Sequence, residues 1–128
     1  ESHTFNALIY GSSGQVSSID DMNAFLEALA GGDIVSSDTL ARMLVPQSAL
    51  PEIGDYGLGW LTGSGDYWHN GKYTSESDYW HSGGYGGYRS LLSISSQHGI
   101  EVVVLTNGGN ATQDHTWNIL ALVSQHYL

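Results

Sequence analysis

Residues 79–90 read Y-W-H-S-G-G-Y-G-G-Y-R-S, and the other elements of the chain are best interpreted around this stretch. It places His81 and Ser82 at the end of an aromatic strand and follows them with four glycines within five residues. Glycine lets a bound ligand approach the backbone closely, so the stretch predicts a substrate-binding strand edge. The alternative is a plain hairpin in which the glycines supply only turn dihedrals.

Further strand patterns lie on both sides of this stretch. Residues 56–61 alternate in the manner of a strand, and aliphatic residues fill Tyr88–Ser95 and Ile100–Thr106. Residues 97–99 predict the tight turn between the last two. Ile100–Thr106 is apolar at nearly every position, which is typical of a central strand covered on both faces. With residues 79–82, these strands predict an antiparallel β-sheet.

Helix signals occur near both ends of the chain. Ser18 and Asp21 form a capping-box-like start, and Gly31-Gly32 ends that helix. A shorter helix is expected from Ser36 or Ser37 to Pro46, and a C-terminal helix presents apolar residues from Trp117 onward. The predicted fold class is therefore α+β, an antiparallel sheet flanked by helices. Residues 63–78 are polar and aromatic and predict a long loop or hairpin.

Composition limits the function classes. The chain has 128 residues, enough for one domain, and 3 basic against 13 acidic residues give a formal charge of -10. That charge repels phosphate backbones and anionic lipids, so nucleic acid and membrane surfaces are poor partners. No apolar run is long enough for a membrane span. Without cysteine, and with six histidines in no ligand-like pattern, neither a metal site nor another cofactor is expected.

Two common catalytic motifs fail on spacing. A nucleophile elbow centred on Ser13 would need glycine where Gln15 stands. A phosphate-binding loop ending at Lys72 lacks its first glycine, because Asp66 occupies that position. The many aromatic residues suggest a rival class, a non-catalytic module that binds carbohydrate or peptide through the aromatic, glycine-rich loops.

Four short motifs follow one another along the chain: S-S-I-D-D-M at 17–22, Y-G-L-G-W at 56–60, W-H-S-G-G-Y-G-G-Y at 80–88 and I-E-V-V-V-L-T-N at 100–107. Together they resemble the C-terminal part of the serine β-lactamase and D,D-peptidase family, which includes penicillin-binding proteins. The class C-like branch is the most similar. The resemblance extends over about residues 11–128, and all 128 residues are interpreted as the C-terminal portion of such a domain.

The resemblance implies roles for four residues. His81-Ser82-Gly83 matches the family's K-T-G triplet, which is H-T-G or H-S-G in peptidase and esterase members. His81 would act in proton transfer near the nucleophile, and Ser82 would bind a substrate carboxylate or carbonyl. Gly83 would let the substrate lie against the strand, and the Gly84 amide would donate to the oxyanion. The implied activity is serine acyl hydrolysis of a D-amino-acid peptide, a β-lactam or a small ester, in the cell envelope, periplasm or secreted fraction.

The chain departs from the family in its nucleophile. S-x-x-K is absent, because the only lysine, Lys72, has His69 three residues before it. Y-x-N and S-x-N are absent as well. The expected explanations are a piece of a longer enzyme, a degenerate relative, or a binding module that uses residues 63–80. In the first case the partner is the N-terminal portion of the same protein or a second copy of this chain, which would complete Ile100–Thr106 in trans.

Overall fold

The computed structural model describes residues 11–50, 54–62, 67–69, 72–74, 79–96, 98–108 and 113–127. Within these ranges the chain forms three helices and eight strands. The helices are α1 (Ile19–Gly31), α2 (Ser37–Met43) and α3 (Gln113–Tyr127). The strands are β1 (Ser48–Leu50), β2 (Gly54–Tyr56), β3 (Leu61–Thr62), β4 (Tyr67–His69), β5 (Lys72–Thr74), β6 (Tyr79–Tyr85), β7 (Tyr88–Ser95) and β8 (Ile100–Thr106). The α+β prediction is confirmed.

Six of these strands form one antiparallel sheet in the order β1-β2-β3-β6-β7-β8. The strands β6, β7 and β8 make up its regular half, where every residue of β6 pairs with one of β7, from Tyr79↔Ile94 to Tyr85↔Tyr88. The β7–β8 pairing runs from Arg89↔Thr106 to Ser95↔Ile100. The predicted antiparallel arrangement of His81 and Ser82 against Tyr88–Ser95 is therefore confirmed.

Helices cover both faces of the sheet. On one face, Leu120 of α3 packs with Trp80, Leu91, Val102 and Val104. On the other face, Leu26 and Leu29 of α1 and Leu40 of α2 pack with Tyr79 and Ile94 of the sheet and with Trp60, the residue before β3. Alternate residues of one strand point to opposite faces, so a strand covered on both sides must be apolar at successive positions. This explains why β8 is apolar at nearly every position.

The start and the end of α1 agree with the prediction from the sequence. The Ser18 side chain accepts a hydrogen bond from the Asp21 amide at 3.1 Å, which satisfies one of the free amides of the first turn. Gly32 ends the helix in the left-handed conformation, with φ of 86°. The second helix ends at Met43, before Pro46, with Leu44 as its cap.

One strand prediction is wrong. Residues 56–61 are not one strand, because β2 ends at Tyr56, β3 begins at Leu61 and residues 57–60 form the turn of a hairpin. The Gly57 amide donates to the Trp60 carbonyl at 2.8 Å, and Gly59 adopts a positive φ of 87° that only glycine tolerates well. Alternation of glycine with apolar residues imitates a strand, but here the glycines serve the turn.

The remaining predictions are met in part. Residues 67–69 and 72–74 pair as a two-stranded hairpin, and the rest of the 63–78 region lies outside the described residues. Gly99 has a positive φ of 63° in the turn between β7 and β8, while Gln97 lies outside the described residues. Within the described ranges, none of the three helices is long and apolar enough to cross a bilayer.

The hairpin between β2 and β3 is held against the end of α2 at Gly57. The Leu58 amide donates to the Met43 carbonyl at 2.7 Å, and a Cβ on Gly57 would overlap that same carbonyl oxygen and lie 3.3 Å from the Leu44 Cα. We therefore expect Gly57→Ala to lower the free energy of unfolding by about 1–3 kcal/mol, since backbone must move to make room. The midpoint of urea-induced unfolding measures this change in stability.

A matched control for this substitution is Gly31→Ala. Gly31 lies in α1, and the nearest atom to an added Cβ, a side-chain oxygen of Asp33, is 3.8 Å away. Alanine favours a helix over glycine by up to about 1 kcal/mol, so this variant should be neutral or more stable. Equal urea midpoints for the two variants would show that the fold accommodates a Cβ at position 57 without loss of stability.

Glu101 is an acidic residue on β8, and its environment disfavours its charge. Burial, and secondarily the carboxylate of Glu27 on α1, raise the pKa of Glu101. A carboxyl whose pKa is higher in the folded than in the unfolded state binds its proton more tightly when folded. Stability is then greatest below the unfolded pKa of about 4.3 and falls as pH rises through the folded pKa.

Glu101→Gln should remove this cost. We expect the variant to unfold at higher urea concentration than the natural chain at pH 7, by about 0.5 kcal/mol, because the two carboxylates are partly solvated. Below pH 4 the difference should disappear, since the natural carboxyl is then protonated in both states. A variant that is less stable at pH 7 would contradict the proposed electrostatic cost.

Candidate active site

The candidate site is the outer edge of β6. Its neighbour β3 pairs only with the first two residues, through Leu61↔Trp80 and Thr62↔Tyr79. From His81 to Tyr85, β6 pairs with β7 alone within the described part of the chain. Alternate residues of this edge direct backbone N–H and C=O groups away from β7. An extended ligand could therefore add to β6 as a further strand.

The His81 side chain is held at this edge by Tyr56. The Tyr56 hydroxyl oxygen and His81 Nε2 lie 3.0 Å apart, which is within hydrogen-bonding distance. The two rings meet edge to face, and their centroids are 5.9 Å apart. Both residues are partly buried. No residue of β3 pairs with His81, so β2 supplies this contact from beyond β3. A hydrogen bond to Nε2 fixes the position of the ring and favours one of its tautomers.

Gly83 and Gly84 leave room for two side chains of β7. A Cβ on Gly83 would lie 2.8 Å from the Ser90 Oγ. A Cβ on Gly84 would lie 2.6 Å from Nη1 and 2.9 Å from Cζ of Arg89, so the arginine side chain lies across this glycine. The Arg89 Nη1 also donates to the Tyr88 carbonyl at 2.9 Å. The site thus contains one guanidinium, next to the residue expected to donate an oxyanion-hole amide.

The other two glycines of the stretch have a different use. Gly86 and Gly87 form the two-residue turn between β6 and β7, with φ values of 55° and 91°. Two successive positive φ angles are what a type I′ hairpin turn requires. The turn interpretation is therefore confirmed for Gly86 and Gly87. The binding interpretation of Gly83 and Gly84 stays a prediction. One pair makes the turn, and the other makes room for Arg89 and Ser90.

The four residues predicted from sequence lie on one strand. His81, Ser82 and Gly83 are partly buried, and Gly84 is exposed. Ser82 pairs with Leu91 and lies on the opposite face of the sheet from His81, because successive strand residues alternate. The arrangement offers an imidazole, a hydroxyl, a guanidinium and free backbone groups. These groups suit binding and polarising a carbonyl compound with an anionic substituent.

Sequence reasoning did not find Tyr56 and Arg89. A signal for Arg89 was present, because a two-residue Gly-Gly turn fixes Tyr85 opposite Tyr88 and hence Gly84 opposite Arg89. No comparable signal existed for Tyr56, which is 25 residues from His81 and reaches it only through the tertiary fold. As to metals, the described residues contain no group of three histidine, aspartate or glutamate side chains that could bind one.

Comparison with protein-family models finds a match to the family described as Beta-lactamase, over residues 2–125. The chain belongs to the β-lactamase family. The resemblance inferred from the four motifs is confirmed, and a serine-hydrolase-like fold follows from membership. Comparison with curated proteins and with solved structures finds no match. In this β-lactamase-family chain, the H-S-G triplet lies on β6, at the part of its outer edge that no described strand pairs with.

The contact between Tyr56 and His81 can be tested directly. We expect Tyr56→Phe to shift the ratio of the two neutral His81 tautomers about fivefold, because a net hydrogen bond is worth about 1 kcal/mol. Imidazole ¹⁵N chemical shifts in the intact chain report this ratio. Tyr85→Phe is the control, since Tyr85 lies on the same strand with 49 % of its surface exposed. Unchanged His81 nitrogen shifts in Tyr56→Phe would rule out the positioning role.

Proposed function

We propose that this chain forms the substrate-binding half of a serine acyl hydrolase. Its substrates would be D-amino-acid peptides, β-lactams or small esters, as in D,D-peptidases, penicillin-binding proteins and β-lactamases. The observation that carries the proposal is the free edge of β6 at H-S-G-G, which a substrate backbone can join. Family membership supports the reaction class.

In this proposal the substrate lies along β6 in an extended conformation. The Ser82 hydroxyl bonds its carboxylate or carbonyl, and Gly83, without a side chain, admits it to the strand. The Gly84 amide donates to the carbonyl oxygen as it gains negative charge during attack, which stabilises the transition state more than the ground state. A second oxyanion donor and the nucleophile come from outside this chain.

His81 would transfer protons and would not serve as a permanent positive charge. An imidazole can accept and release a proton near neutral pH, which a lysine at the same position does far less readily. Tyr56 would keep the ring in one orientation and tautomer. It is thus a positioning residue, and its role depends on that of His81.

Arg89 would select the substrate class. Its guanidinium lies against Gly84, at the same end of β6 as the proposed oxyanion amide. Arginine binds carboxylates through paired, charge-assisted hydrogen bonds. This favours substrates with a free carboxylate, such as penicillins and peptides that end in a D-amino acid, over uncharged esters.

The nucleophile has to come from sequence that these 128 residues do not contain, because S-x-x-K is absent. We propose that it lies on the N-terminal portion of the same protein. The cell envelope, the periplasm or the secreted fraction is the proposed location, since the proposed substrates occur there. The rival function, a module that binds carbohydrate or peptide, would rely on the aromatic residues of 63–80.

The proposal is tested with the chain as it stands and penicillin G. We expect millimolar penicillin G to shift the amide resonances of residues 81–84, without any covalent adduct in the mass spectrum. Penicillin G methyl ester should bind more weakly. Arg89→Gln should weaken penicillin G binding about tenfold, because it removes charge-assisted hydrogen bonds.

Arg42→Gln is the matched control, since it removes the same charge from the exposed surface of α2 and should leave binding unchanged. Absence of any shift at residues 81–84 would disprove the binding role, and a stoichiometric adduct at a serine would disprove the external nucleophile. Glycan-induced fluorescence changes of the tryptophans, with no response to penicillin G, would favour the rival module.

A further inference from the structure

Two exposed tyrosines stand side by side at the end of the β6–β7 hairpin. Tyr85 and Tyr88 are 49 % and 57 % exposed, and they pair with each other across the Gly86-Gly87 turn. Among the described residues, neither ring contacts another aromatic ring, and neither hydroxyl has a hydrogen-bond partner. An aromatic ring with a free face or edge attracts another aromatic group, so the pair is a candidate binding surface.

The tyrosine pair shares one face of the sheet with His81. Side chains two residues apart on a strand point the same way, so His81, Gly83 and Tyr85 belong to one face of β6. Tyr88 belongs to that face as well, because it is the cross-strand partner of Tyr85. At a rise of about 3.4 Å per residue, Tyr85 lies about 13 Å beyond His81 along the strand. Gly83, between them, has no side chain to fill that space.

Helices cover the opposite end of this face. Residues of α1 and α2 pack on Tyr79 and Ile94, which are the first pair of β6 with β7. Within the described residues, this cluster reaches no further along β7 towards the turn than Leu92, the partner of His81. The tyrosines form the last pair before the turn, so they lie on the uncovered part of the face.

Arg89 lies on the other face of the same hairpin end. It pairs with Gly84, which is next to Tyr85 in sequence, and successive strand residues point to opposite faces. The backbone at Gly84 therefore has a guanidinium on one face and two aromatic rings on the other. A ligand extended along β6 also directs successive substituents to opposite faces. One ligand can thus place a carboxylate beside Arg89 and an apolar group beside the tyrosines.

We propose that Tyr85 and Tyr88 form a subsite for an aromatic ring on the acyl part of the substrate. The inference rests on the proposed acyl-hydrolase function and narrows its substrate class to acyl groups that bear such a ring. A substrate with only methyl side chains would leave both tyrosines exposed. Contacts between aromatic rings add to the effect of buried area, so the subsite favours a phenyl over a methyl group by about five- to tenfold.

The experiment compares two penicillins that differ only in the acyl group. Penicillin G carries a phenylacetyl group, and 6-acetamidopenicillanic acid carries an acetyl group with the same net charge. Titrations that follow the amide resonances of residues 81–84 give the affinity of the intact chain for each. We expect penicillin G to bind about five- to tenfold more tightly. Nuclear Overhauser effects should connect its phenyl protons with the ring protons of Tyr85 and Tyr88.

Leucine variants test the two rings separately. Tyr85→Leu and Tyr88→Leu keep an apolar side chain but remove the aromatic ring. Each should reduce the preference for penicillin G about two- to threefold, and the double variant should bind both compounds equally. Phe25→Leu is the control, since it removes a 38 % exposed aromatic ring from α1 and should leave the preference unchanged. Each preference is a ratio of two affinities of one variant, so a general loss of affinity does not alter it.

The outcomes separate this subsite from the function on which it rests. Shifts at residues 81–84 with equal affinity for the two penicillins would overturn the subsite and leave the proposed function intact. A preference that persists in the double variant would overturn it as well. If the double variant does not fold, absence of the Overhauser effects in the natural chain would overturn it. No shift at residues 81–84 with either compound would overturn the proposed function, and the subsite with it.

Discussion

The register between β6 and β7 is the constraint on which the site depends. The Gly86-Gly87 turn allows only one pairing, with Tyr85 opposite Tyr88. A shift by one residue would reverse which side chains point to each face, and would expose the apolar residues of β7. The same register brings Arg89 across Gly84, so a backbone property of two glycines decides where the guanidinium of the site lies.

The strands β6, β7 and β8 pair along their whole lengths, whereas the short strand β3 leaves part of the outer edge of β6 accessible. Because β3 begins only at Leu61, it pairs with the first two residues of β6 and, within the described residues, leaves the H-S-G-G segment without a strand partner on that side. A longer β3 would close this edge with backbone hydrogen bonds. The turn at residues 57–60, which keeps β3 short, is therefore as important for the site as the motif itself. Gly57 fixes that turn against the end of α2.

The sheet thus has free backbone groups at two places with different chemistry. The β6 edge is next to an imidazole, a hydroxyl and a guanidinium, which suits a small acyl compound. The β8 edge is longer and lies between two helices, and within the described residues no strand pairs with it on its outer side. In the proposed enzyme the first edge receives the substrate and the second one is paired with other protein.

Local sequence signals were enough to predict most of the helices and the long strands. Capping residues predicted the start and end of α1, and period-two and fully apolar patterns predicted β7 and β8, because these signals depend on local geometry. The four motifs were sufficient to predict the family. The H-S-G-G stretch was sufficient to locate the candidate site on a strand.

Other features of the fold and the site depend on contacts between distant segments and could not be predicted from local sequence. Residues 56–61 alternate like a strand, yet a close contact with α2 and a positive φ at Gly59 make residues 57–60 a turn. The Tyr56 hydroxyl meets His81 across 25 residues of sequence, and no local pattern encodes such a contact. The division of four similar glycines into a turn pair and a packing pair depended on what the neighbouring strand places beside each one. Local sequence sets backbone preference, but the neighbours of a side chain are set by the pairing of distant segments.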